Sequence, residues 1–183
     1  MMRQIMPRVH WPNGILFIVY TVSAFLRPHD LESHGPGLVG DKAAVARRFE
    51  PVIAVTISFV FLLMTFLFRQ SATAFGLRFQ SVKKDDDPVS MPSIKYGTGG
   101  GRPMLAANRV VGNMLEQAPC FLLALWLHAA FVDCSGAATL GWVWIAFRCL
   151  YPFVWGRIPW IFCSTLPGYG VIGALLWPLV RFT

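Results

Sequence analysis

Four long apolar stretches, separated by polar segments, organise this chain of 183 residues. The cleanest covers 51–68 (PVIAVTISFVFLLMTFLF), eighteen residues without a charge between Glu50 and Arg69. That is just enough to cross the hydrocarbon of a bilayer with help from flanking turns. A second extends over about 110–132, a third over about 138–155 with Arg148 inside it, and a fourth over about 158–180. In the fourth, Pro167-Gly168 is expected to kink the helix or divide it. The pattern predicts an all-α integral membrane protein, a four-transmembrane-helix bundle. An extra N-terminal hydrophobic segment, 14–26, is thirteen residues long and follows Arg3 and Arg8. It is too short to span comfortably, and no small-residue cleavage site follows it, so it reads as a retained interfacial or partly inserted helix. The chain thus divides into an N-terminal extension, 1–50, and a membrane domain, 51–183. The polar stretch 69–108, with KKDDDP and GTGGGRP, reads as a flexible linker. Its glycine run lacks the G-K-[ST] ending and the preceding strand of a phosphate-binding loop.

Composition strengthens the membrane assignment. The chain is 55% hydrophobic and 14% charged, against about 25% charged for soluble domains. The net charge of +7 is spread over 27–50 and 69–109 rather than gathered in one patch. It suits contact with anionic lipid headgroups, and no nucleic-acid-binding signature accompanies it. Positive charge nearly balances across four spans, so charge alone leaves the topology open; the membrane is expected to be that of the endoplasmic reticulum or an organelle inner membrane. The cysteines (120, 134, 149 and 163) form no C-x-x-C pair and no metal-ligand cluster, and they read as small hydrophobes. His29, Asp30, Glu32 and His34 read as an exposed loop, and no metal site is expected. His128 is expected to be hydrogen-bonded within the bundle. The tryptophans Trp142, Trp144, Trp155, Trp160 and Trp177 fit interfacial belts or lipid-packing surfaces.

The candidate chemistry lies at the start of the second span. Arg109, Asn113 and Glu116, at offsets of four and seven, share one helical face. A carboxylate at membrane depth costs roughly 2.5–3.5 kcal/mol on insertion scales, so it should face protein, water or a ligand. A cation, an amide and an anion on one stripe suit a ligand bearing both a carboxylate and an ammonium group. They equally suit an internal ion-pair network. The third span adds Arg148, Tyr151 and Trp155 at offsets of three and seven. Glu116 is the only carboxylate within any span, so charge inventory pairs it with Arg148, either as a bridge between helices or as part of a site.

The text NRVVGNMLEQAPCFLLALWLHAAFVD, followed by TLGWVWIAFRCLYPFVWG, resembles the MAPEG family, the membrane-associated proteins in eicosanoid and glutathione metabolism. Its R-x3-N-x2-E-x2-P pattern is Arg109, Asn113, Glu116 and Pro119, and its G-x6-R-x2-Y pattern is Gly141, Arg148 and Tyr151. The likeness is strong over about 104–156 and loose over the hydrophobic layout from 51 to 180. It implies a four-helix membrane fold assembled as a homotrimer, with glutathione held between subunits as co-substrate. It further implies that Arg109, Asn113, Glu116, Arg148 and Tyr151 are glutathione contacts. The implied activity is that of a glutathione-dependent transferase or peroxidase acting on lipophilic substrates, through a thiolate stabilised by an arginine. The chain departs from leukotriene-C synthase-like members at Gln117 and Trp155, where they carry tyrosine. It also has Phe162 where they carry the thiolate-activating arginine; Arg157 lies nearby but precedes Pro159. Those departures carry the other reading, a non-catalytic accessory or scaffold subunit of a larger membrane complex. A third reading, a lipid-presenting trimer, needs the groove but no thiolate arginine.

Overall fold

A computed structural model describes residues 42–83, 89–156 and 162–181, and every element within them is helical. The elements are α1 (Lys42–Lys83), α2 (Met91–Tyr96), α3 (Gly101–Phe131), α4 (Cys134–Val154) and α5 (Phe162–Val180). The expected segment 14–26, the His29–His34 cluster, Arg157 and Trp160 lie outside the described residues. Among the described residues, α1, α3, α4 and α5 are long and apolar enough to cross a membrane. They pack as one bundle in which α1 lies against α3 and α4, and α5 against α3 and α4. The protein is therefore an all-α integral membrane bundle.

Small and aromatic residues set the spacing inside. Phe121 of α3 stacks on Trp144 of α4 with centroids 3.9 Å apart, and Phe59 of α1 leans on Trp144 at 5.9 Å. Gly141 lets α1 approach α4, because a Cβ there would lie 2.7 Å from a Val55 methyl. Trp144 is fully buried, which corrects its expected place in an interfacial or lipid-facing belt: its ring fills the three-helix junction. Trp177 is exposed, with the Arg181 guanidinium 5.5 Å from its ring. The outward faces carry large apolar side chains, among them Phe61, Met64, Phe68, Leu123 and Phe153, a surface that suits lipid tails.

Polar bonds fasten α5. His128 Nδ1 lies 2.8 Å from the Leu175 carbonyl oxygen, as a bundle histidine should, and the Ser164 hydroxyl donates to the Phe147 carbonyl at 2.5 Å. α5 runs unbroken through Pro167, so the expected division into two pieces does not occur.

The expected linker is largely built. α1 carries on to Lys83, because no proline interrupts 69–83 and extending a formed helix costs far less than starting one. Its 42 residues make about 63 Å at 1.5 Å per residue, twice the roughly 30 Å of hydrocarbon. Ala74 on this overrun packs with Ile94 of α2 and Met104 of α3. The glycine run is a turn that feeds α3. Gly101 takes φ 55, a backbone conformation that disfavours other residues. A Cβ on Gly100 would collide with Ile94 and Met104.

Candidate functional site

α3 carries two adjacent polar rows, each stepping by four residues along one face. Asn108, Gly112 and Glu116 form one row, and Arg109, Asn113 and Gln117 form the other. Asn108, Arg109, Gly112, Asn113 and Glu116 line a side-opening pocket of about 270 Å³, and Tyr151 of α4 closes it. Arg109 and Glu116 are exposed, Asn108 and Asn113 partly buried, and Gln117 fully buried. Seven residues separate Arg109 from Glu116, about 10.5 Å of helix rise. The pocket thus has a cation towards one end, an anion towards the other, amides between them and a phenol opposite.

Of the sequence-predicted contacts, Arg109, Asn113, Glu116 and Tyr151 come together around this space. Arg148 does not line it. It sits behind the pocket at 1% exposure, with Nη1 donating to Asn113 Oδ1 and Nη2 to Gln117 Oε1. Its Cζ lies 5.1 Å from the Trp144 ring centroid and 6.0 Å from that of Tyr151. The expected Glu116–Arg148 pairing is therefore absent. Two neutral amide oxygens accept from the guanidinium, and Glu116 stays on the exposed rim, within electrostatic reach of Tyr151. Charge counting missed this because amide oxygens accept from a cation without carrying charge themselves. The Nε of Arg148, the Nε2 of Gln117 and the Nε1 of Trp144 are buried without partners among the described residues.

Gly168 of α5 completes the guanidinium's enclosure. A Cβ there would stand 2.5 Å from Arg148 Nη2 and 3.1 Å from Gln117 Oε1, and the neighbour is the planar fork itself. Gly168→Ala should therefore displace Arg148 from its acceptors. Overpacking of this kind costs about 1–3 kcal/mol, to be read as a lowered unfolding midpoint in detergent; an unchanged midpoint would show the fork is free to move.

Sequence reasoning missed Asn108, Gly112, Gln117 and Gly168. The step of four was available for the first three, since each extends a row already marked by Arg109, Asn113 or Glu116. Gly168 carries no local signal, because its role depends on a contact made twenty residues away in the chain. Phe162 opens α5 and is 52% exposed, an apolar side chain where the family resemblance expects the thiolate-activating arginine. Trp155 packs against the core. The cysteines at 120 and 163 are exposed and those at 134 and 149 partly buried, all as free thiols. No metal-binding group of side chains occurs among the described residues.

Residues 51–180 match the model of the MAPEG family. Over 73 residues the chain is 43% identical to the uncharacterized protein sll1147 of Synechocystis sp., covering 37% of this chain and 52% of that protein. The chain thus spans about half the length of that curated relative. No solved structure matches it.

Proposed function

The chain belongs to the MAPEG family, and from that premise we propose that it binds glutathione in the α3–α4 pocket and joins the glutathionyl group through its sulfur to lipophilic electrophiles, or uses the thiol to reduce lipid hydroperoxides. The observation that carries this reading is the placement of Arg109 and Glu116 towards opposite ends of one pocket at a membrane-spanning helix. Glutathione is a zwitterion with carboxylates and an ammonium group. Arg109 pairs a carboxylate, Glu116 pairs the ammonium, and the Asn113 amide hydrogens stay available after its oxygen has accepted from Arg148. Tyr151 presents a phenolic donor for the sulfur anion. In the transfer step the thiol gives up its proton to water and the sulfur lone pair forms a C–S bond to the electrophilic carbon as the leaving group departs with the electron pair of its own bond to that carbon. In the reductive reaction the sulfur takes the terminal hydroperoxide oxygen as the O–O bond breaks and the lipid alkoxide is protonated. A second glutathione thiolate then displaces hydroxide from the sulfenic acid to give the disulfide. At about 270 Å³ and open to one side, the pocket falls just below the ligand-site range of about 300–1,000 Å³. We read it as part of a site that a second copy completes, in a homotrimer.

The second reading, a non-catalytic accessory or scaffold subunit of a larger membrane complex, is favoured by Phe162. An exposed phenyl group at the expected arginine position cannot stabilise a thiolate. One set of measurements separates the two readings. Purified protein in detergent is titrated with reduced glutathione and then assayed for thiol transfer to a lipophilic electrophile. Glu116→Ala should lower glutathione affinity by at least tenfold while leaving the unfolding midpoint unchanged, because Glu116 is exposed and supports no packing. Transfer that follows binding supports the enzyme, and binding without transfer supports the accessory subunit. Failure of wild-type protein to bind glutathione removes the site reading altogether.

A further inference from the structure

Asn108 is the lining residue at the start of the rim row, one position before Arg109. Two bonds fix its side-chain amide. Gln70 Nε2 of α1 donates to Asn108 Oδ1 at 2.8 Å, and Asn108 Nδ2 donates to the Lys95 carbonyl of α2 at 3.2 Å. Three elements therefore set the plane of one amide at the pocket wall. An asparagine amide offers two N–H donors and two acceptor lone pairs. The bonds to Gln70 and Lys95 use one of each, which leaves one donor and one acceptor on a group that lines the cavity.

A free donor beside a free acceptor matches a group with the same pairing in reverse, and a peptide amide has that chemistry. A carboxylate only accepts and an ammonium only donates, so either would leave half of Asn108 unmet. Resting on the glutathione-binding reading, we infer that Asn108 is a further ligand contact that recognises a peptide amide of the bound thiol peptide. Gln70 and Lys95 act as its positioning partners. The overrun of α1 beyond the bilayer and the docking of α2 then have a shared consequence: they aim this amide.

The test measures glutathione affinity and ligand-free unfolding for wild type, Asn108→Leu, Asn108→Asp and Gln70→Leu, with Glu116→Ala as reference. Two lost hydrogen bonds at about 0.5–1.5 kcal/mol each correspond to roughly five- to 150-fold in affinity. Asn108→Leu should show that loss. Asn108→Asp keeps an acceptor but sets a second one against the Lys95 carbonyl, so it should lose at least as much as Asn108→Leu. Gln70→Leu should weaken binding even though Gln70 does not line the pocket. If Asn108→Asp binds glutathione more tightly than wild type, the ligand presents an ammonium there and the inference is overturned. It is equally overturned if Asn108→Leu lowers the unfolding midpoint but leaves glutathione affinity intact, since the residue is then only a tie between helices. Weakening by Glu116→Ala alone would leave the binding reading standing without this contact, whereas absence of wild-type binding removes both.

Discussion

Gln117→Leu should cost roughly 1.5–3 kcal/mol of stability, the range for a hydrogen bond to a charged group whose buried donor is left unsatisfied. The substitution keeps the volume apolar and close to that of the original, so packing is nearly conserved. What changes is the environment of Arg148, whose Nη2 then has no acceptor among the described residues and whose Nε has none already. Arg148→Met removes the charge together with its need for acceptors, and replacing a buried ionic group by an apolar one of similar volume is often neutral or better. It should therefore cost less than Gln117→Leu despite deleting the larger polar group. The double variant should recover most of the loss. Unfolding midpoints of all four proteins in one detergent measure this cycle. Additive losses would mean that Gln117 and Arg148 act independently, contrary to the observed bond.

The four spans were legible in the sequence because lipid imposes a strong rule: every backbone group must be satisfied internally, so each span is a continuous apolar helix. The same rule gives no guidance beyond the bilayer. The sequence 69–83 mixes Arg69, Gln70, Arg78 and Gln80 with Phe75 and Phe79, which reads as polar connection until α2 is seen docked on its Ala74 face. The stripe Arg109-Asn113-Glu116 was readable because helical spacing alone places it on one side of α3. Which of its residues stay exposed and which turn inward was not, since that depends on where α4 and α5 cross. Counting charges then paired Glu116 with Arg148, whereas the rotation of α3 turns Asn113 and Gln117 inward and Glu116 out. Gln117, met as a departure from the tyrosine of leukotriene-C synthase-like relatives, turns out to accept from the most buried cation among the described residues.

Gly112→Leu should abolish ligand binding without weakening the fold. Gly112 sits in the rim row between Asn108 and Glu116 and lines the pocket, and a Cβ built on it meets nothing within 4 Å. The added side chain therefore enters the space available to a ligand and touches no part of the chain's own core. In a helix interior glycine is about 0.5–1 kcal/mol less favourable than alanine, and leucine is nearly as good a helix former. The unfolding midpoint of the ligand-free protein should thus stay level or rise slightly. Glutathione affinity should fall by more than in Glu116→Ala, because one charge pair can be forgone but occupied volume cannot. This pairing of effects separates occlusion from damage. If Gly112→Leu binds glutathione as wild type does, the ligand lies elsewhere; if it unfolds, the space beside Gly112 belongs to packing and the pocket loses its standing as a site.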